Sequence, residues 1–148
     1  MKLEGTYTVR APRERVWALL TDPANLVLCL PGCEKLVATG ENSYEMTMKV
    51  GIAAISGTYS GKISLSEITP TTHLRMAVSG RGTAGFLDGQ GLIDLEEAGD
   101  ETLVRYSGEV QVGGVIASVG QRMLEGAARL ILNQFFQNVS RQLTATLG

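Results

Sequence analysis

Between residues 33 and 113 the chain alternates apolar and polar side chains almost without interruption. The period-2 pattern recurs near 34–40, 43–53, 56–68, 72–79, 86–97 and 102–113, which reads as strand after strand. Turn chemistry separates the runs at Gly40-Glu41-Asn42, Thr69-Pro70-Thr71 and Gly99-Asp100. No helical pattern falls between neighbours, so the strands should pair antiparallel as a meander. The first ten residues alternate as well, with Leu3, Gly5, Tyr7 and Val9 on one face and Lys2, Glu4, Thr6, Thr8 and Arg10 on the other. That adds a seventh strand.

Helical signals flank the sheet. Pro12 suits the first turn of a helix, where its missing N–H costs nothing, and this helix runs to about Leu20 with Val16, Trp17 and Leu20 inward. Asp22-Pro23 is a second cap-plus-proline start, for a short helix ending near Leu30 ahead of the Pro31-Gly32 turn. After Gly113-Gly114 the period changes to 3.6, from about Ala117 to Thr146, with Ile116, Gly120, Met123, Ala127, Leu130, Ile131 and Phe135 in one stripe. A helix of about 30 residues is roughly 45 Å long and should lie across the whole sheet to bury that stripe. The expected fold is therefore α+β: a curved seven-stranded antiparallel sheet wrapped around a long C-terminal helix, with two short helices after strand 1. The whole of 1–148 is expected to form one domain, a size that permits a real core but not two.

Composition excludes several functions. The net charge is −2 and no basic stripe occurs, so nucleic acid is not an expected partner. No apolar run approaches the length of a membrane span. The N-terminus alternates instead of showing an export signal, so a cytoplasmic location is expected, with Cys29 and Cys33 as reduced thiols.

The strand phases describe the interior. Tyr44, Met46, Met48, Val50, Ile52; Tyr59, Ile63, Leu65; Leu74, Met76, Val78; Ile93, Leu95; and Val104, Tyr106, Val110, Val112 fall on the inward phases. Charges fall on the other phase, so the sheet offers no general acid or base to an interior site. All four tyrosines point inward, as do Gly5, Gly57, Gly61, Gly91 and Gly108, and Ala127 and Ala128 face them from the helix. Small residues opposite one another either let the helix approach closely or leave an apolar void, and such a void with a few hydroxyls is a ligand pocket. Candidate walls are Trp17, Tyr59, Met76, Phe86, Tyr106, Met123, Ala127 and Ile131. Gln134 and Asn138 interrupt the helix's apolar stripe; buried amides need partners, in the short helices or at a ligand's polar end.

Other motifs lead nowhere catalytic. Gly80-Arg81-Gly82-Thr83-Ala84-Gly85 matches a dinucleotide fingerprint but is followed by a strand, so it reads as a glycine-rich hairpin, with Phe86 as a possible apolar plug at a pocket mouth. His73 lies on a polar phase, so neither a metal site nor a Cys-His relay assembles with Cys29 and Cys33. No cofactor and no catalytic residue is expected.

Five pieces in order carry a resemblance. They are Ala11-Pro12-x-x-x-Val16-Trp17; Leu30-Pro31-Gly32-Cys33; Lys49-Val50-Gly51 with Gly57 and Gly61 after it; Gly80-x-Gly82-x-x-Gly85; and Val112-Gly113-Gly114-x-x-Ala117-x-x-Gly120. Together they resemble the carbon monoxide dehydrogenase G-subunit family of the START/Bet v 1-like superfamily, whose fold is the helix-grip. The resemblance implies a non-catalytic accessory protein that binds a quinone or lipid. It would serve a molybdenum hydroxylase of the carbon monoxide dehydrogenase type by docking it at the membrane or handling its electron acceptor, at the inner face of the cell membrane. Many relatives carry a C-terminal extension that reaches the membrane; this sequence ends at Leu147-Gly148, and anchoring by such a tail is not expected of it. The alternative is a cyclase- or aromatase-like enzyme of the same superfamily.

Overall fold

The structure is a computed structural model that describes residues 1–52 and 55–147, with side chains through Leu143. Strand β1 (Lys2–Val9) leads into helix α1 (Arg13–Thr21) and helix α2 (Pro23–Cys29). Strands β2 (Cys33–Gly40), β3 (Ser43–Val50), β4 (Gly57–Thr69), β5 (His73–Gly82), β6 (Gly85–Ala98) and β7 (Glu101–Gly113) follow, and helix α3 (Gln121–Leu147) closes the chain. The seven strands form one antiparallel sheet in the order β1-β7-β6-β5-β4-β3-β2. The expected α+β architecture is therefore the observed one. The run predicted over 43–53 ends as a strand at Val50, and its last position lies outside the described residues.

Local chemistry explains the helix starts. The Asp22 side chain accepts a hydrogen bond from the Ala24 N–H at 3.0 Å, with Pro23 in the first turn of α2. The glycine-rich hairpin forms as predicted, with β5 and β6 meeting at Gly82↔Gly85.

The sheet bends where glycines on the inner face allow backbones to approach. A Cβ on Gly61 would collide with the Ser79 carbonyl of β5, and one on Gly108 would lie 2.6 Å from the Gln90 carbonyl of β6. Without side chains at these points the sheet can curl toward α3.

Two apolar clusters fill the fold. One joins Val9, Val16, Leu19, Leu20, Leu26, Cys29, Leu95 and Val104 to Phe135, Phe136, Val139 and Leu143 of α3. The other lies within the sheet around Tyr44, Met46, Ile63, Leu65 and Leu74. Trp17, Leu30, Leu36 and Ile93 touch both.

The C-terminal helix departs from its prediction in two ways. It begins at Gln121, because Gly114 and Gly120 take left-handed φ values of 82° and 97° and isolate Val115–Val119 as a separate 3-10 turn. Ile116 and Gly120 therefore leave the helical stripe. The helix is also buried mainly through its second half. Phe135, Phe136, Val139 and Leu143 are buried, whereas Met123 and Leu130 are 51% and 44% exposed. The stripe does not press flat on the whole sheet.

Candidate ligand-binding face

Cross-strand register assembles the inner face row by row, since directly paired residues share a face. One row is Leu3, Gly108, Gly91, Met76 and Leu65; the next is Val110, Gly89, Val78, Ile63 and Tyr44; a third is Val112, Leu87, Gly80, Gly61 and Met46. Each row sets one or two glycines among bulky apolar residues. The rows lie on the side of the sheet that α3 closes, yet Met76, Val78, Leu87, Tyr106, Val110 and Val112 are only half-buried. From the helix, Leu124, Ala128 and Ile131 are half-buried too. A close-packed layer would remove these apolar surfaces from water. Here a patch of facing aliphatic and aromatic surface remains accessible.

Several predicted wall residues lie on the inner face or on the helices. Trp17 from α1 is half-buried and sits where the two clusters join. Met76 packs at the edge of the sheet cluster. Tyr106 stacks on Phe136 with ring centroids 5.5 Å apart, and Phe136 also stacks on Tyr7 at 5.1 Å. Ala127 is buried and Ile131 half-buried on α3. Tyr59 is buried and its hydroxyl donates to the Ile55 carbonyl at 2.7 Å, and burial raises its phenol pKa. That hydroxyl is engaged in holding the β3–β4 connection.

Three candidates belong elsewhere. Phe86 is one residue out of phase with Leu87, Ile93 and Leu95, and period 2 therefore puts it on the outer face of the sheet. There it lies against Gly113 with the Arg81 guanidinium 5.5 Å above its ring. Met123 is exposed, although Ala127 one turn further along is buried. Gln134 is also exposed and does not interrupt a buried stripe. Asn138 does. Its Nδ2 donates to the Cys29 carbonyl at 3.0 Å, which satisfies the end of α2. Leu87 was missed, although its phase with Ile93 and Leu95 would have found it; Leu36 and Met48, both half-buried beside the sheet cluster, complete the apolar rim.

Charge lies on the other side. His73 Nδ1 is 2.7 Å from Asp94 Oδ1, Arg75 bonds Glu67 and Gln90, and Arg105 bonds Glu96 at 2.8 Å, all on outward phases or strand ends. The outer face carries an open trough of about 870 Å³, with Lys62, Arg75, Asp88, Gln90 and Glu109 among its lining. Its polar lining contrasts with the apolar inner rows. Both cysteines are free thiols. Burial pushes the Cys29 thiol up to about 11 and also raises that of Cys33, which a backbone hydrogen bond at Lys35 partly offsets. No cluster of metal-ligating side chains occurs among the described residues.

Comparison with known proteins agrees with this geometry. A conserved protein from Geobacillus kaustophilus superposes with a TM-score of 0.96 at 34% identity, covering 99% of this chain and 97% of its own. A START superfamily protein from Mycobacterium smegmatis shares the fold with a TM-score of 0.77 at 11% identity, covering 98% of each chain. The Zhui aromatase/cyclase of a Streptomyces species does so with a TM-score of 0.69 at 16% identity, over 100% of this chain and 96% of its own. Comparison with curated protein sequences gave no match. The family model of the carbon monoxide dehydrogenase G-subunit (CoxG) matches residues 5–144, and the chain therefore belongs to that family.

Proposed function

We propose that this protein binds a hydrophobic small molecule, a quinone or a lipid, between α3 and the inner face of the sheet, and that it performs no reaction on it. The observation that carries this reading is the half-buried apolar patch of Met76, Val78, Leu87, Tyr106, Val110 and Val112 on the inner face of the sheet. Apolar walls with a few hydroxyls are what such ligands require. The inward phases of β3 to β7 carry no acid or base short of the strand ends, which disfavours proton-transfer chemistry there.

Family membership supports a further step: the bound molecule serves a molybdenum hydroxylase of the carbon monoxide dehydrogenase type, as an electron acceptor or a docking aid. The protein's work would be to shelter a water-insoluble molecule and present it to that partner.

Trp17, the single tryptophan, reports on the site because it stands at the junction of the two clusters. Titration with a soluble short-chain quinone should quench its fluorescence saturably, and solvent extraction of the purified protein should release a co-purifying hydrophobe visible by mass spectrometry. A protein that carries nothing and takes up neither quinone nor fatty acid would sink the proposal. Chemical conversion of the bound compound would favour the cyclase reading instead.

A further inference from the structure

The inner face holds hydroxyls that the fold itself does not use. Thr102 donates to the Ala11 carbonyl at 2.7 Å and Tyr59 to the Ile55 carbonyl at 2.7 Å. The hydroxyls of Tyr7, Tyr44 and Tyr106 have no hydrogen-bond partner among the described residues, yet the buried polar atom left orphaned there is Arg13 Nε and none of theirs. These three phenol oxygens therefore remain accessible, although their rings lie on inward phases. An accessible, unpaired hydroxyl in apolar surroundings is free to bond a ligand.

Tyr44 stands across the sheet on β3, but Tyr7 and Tyr106 stand together. Gly5 pairs with Tyr106 and Tyr7 with Val104, so the two tyrosines are diagonal neighbours on one face of β1 and β7. Both rings stack on the buried Phe136 of α3, with interplanar angles of 17° and 26°. Gly5 leaves room for the second ring: a Cβ there would lie 2.6 Å from the Tyr106 hydroxyl oxygen. Beside Tyr106 the next inner row begins with Gly108 and Gly91 and continues to Met76. A Cβ on Gly91 would meet only Ser107 and Gly108 of β7 within 4 Å, so α3 does not fill that place.

The charges around this pair are one-sided. No Lys or Arg occupies an inward phase of any strand. Among the described residues the half-buried cations are Arg13, Arg15 and Arg75. Arg13 and Arg15 lie in the first turn of α1, where Arg13 pairs with Glu97 at 3.5 Å. Arg75 bonds Glu67 and Gln90 on the outer face. On α3, Arg122, Arg129 and Arg141 are exposed while Glu125 is half-buried, and Asn138 is engaged with the Cys29 carbonyl.

We propose that the Tyr7 and Tyr106 hydroxyls are the polar anchor of the ligand site, and that they select an uncharged head bearing a hydrogen-bond acceptor, a carbonyl or an ester, over a carboxylate. The inference rests on the carrier reading and adds to it the ligand's head group and orientation. Each phenol O–H donates to the head, and the apolar remainder lies over Gly108 and Gly91 toward Met76 and Val78. A carboxylate would accept the same bonds, but it would leave water for a place with no cation to pair it, which apolar surroundings strongly oppose.

The test uses the full chain at pH 8 with a short-chain quinone, methyl decanoate and decanoate. Quenching of Trp17 reads quinone binding, and competition against the quinone reads the other two. Methyl decanoate should displace the quinone, and decanoate should require at least about a hundredfold more. Tyr7→Phe and Tyr106→Phe keep both rings on Phe136 and remove one donor each. Each should weaken quinone binding about two- to twelvefold, and the double variant more than either. Naphthalene, which carries no acceptor, should bind the wild type and the variants alike. Thermal melts establish that the variants are folded. A double variant that binds quinone as tightly as the wild type, or decanoate that competes as well as its ester, overturns the anchor and leaves the carrier. Equal losses for quinone and naphthalene overturn it too, because the hydroxyls would then only hold structure. A wild type that takes up none of quinone, ester and naphthalene removes the carrier reading, and the anchor with it.

Discussion

The Asn138 side chain donates a hydrogen bond of 3.0 Å to the main-chain carbonyl of Cys29. One amide thereby ties the long helix to the last turn of α2, whose terminal carbonyls have no helical partner. Arg141 in turn bonds the Asn138 Oδ1 at 3.3 Å. This link fixes the second half of α3. Replacing Asn138 with Leu leaves the Cys29 carbonyl partly buried and unpaired, at a cost of about 1–3 kcal/mol. Urea denaturation should show that loss. An unchanged midpoint would mean that water replaces the amide.

Gly61 and Gly80 face one another across β4 and β5, yet they should respond differently to the same substitution. A methyl group on Gly61 meets the Ser79 carbonyl, whereas on Gly80 its nearest neighbour is the Leu87 side chain at 3.7 Å. Gly61→Ala should destabilise by about 3 kcal/mol, lowering Tm by roughly 6–12 °C. Gly80→Ala should change Tm by no more than a few degrees. Equal thermal shifts for the two variants would contradict the close approach of these strands.

Cys29 makes stability pH-dependent. Its thiol has an ordinary value of 9.0 and is held up to about 11 by burial. The folded state thus keeps its proton where the unfolded chain has lost it. Below pH 9 both states are protonated and the full stability is present; between about 9 and 11 the unfolded state binds fewer protons and stability falls. The loss amounts to about 2–3 kcal/mol. The destabilisation caused by Cys29→Ala should consequently shrink as denaturation is repeated from pH 8 to pH 11. In the native protein a thiol reagent at pH 8 should modify the half-buried Cys33 first and leave Cys29 intact until unfolding.

Val78 stands on the inner face between Gly89 and Ile63 and is half-buried. Val78→Trp should fill the apolar patch. Quinone affinity should drop at least tenfold, while Tm stays within a few degrees because the new ring occupies space that is not close-packed. A large loss of stability with affinity intact would show that the patch is core and not a site.

Much of the fold was legible because strand signals are local. Tyr44, Met46, Ile63, Leu74 and Val104 alternate with polar neighbours, and all five are buried as that alternation requires. The Gly80–Gly85 motif could be read as a hairpin because a strand, and no helix, follows it. The predicted site was less legible. Phe86 looked like a plug from its size and its place in a glycine-rich turn, but strand parity turned it outward to Arg81. Met123 has helical spacing with Ala127, and spacing says nothing of how far the helix axis stands from the sheet.

The sequence by itself determined the seven strands, their inward phases, the charge-free interior and the two short helices, since each follows from a period or cap that neighbouring residues impose. Only the tertiary structure decided where α3 begins, which half of it is buried, and that Asn138 and not Gln134 is tied into the core. Those outcomes depend on the curl of the sheet and on the reversals at Gly114 and Gly120, which arise from contacts between residues far apart in the chain. The meeting of the β3–β4, β5–β6 and β7–α3 connections at one end is of the same kind. Three connections distant in sequence meet because antiparallel pairing brings alternate turns to one end of the sheet.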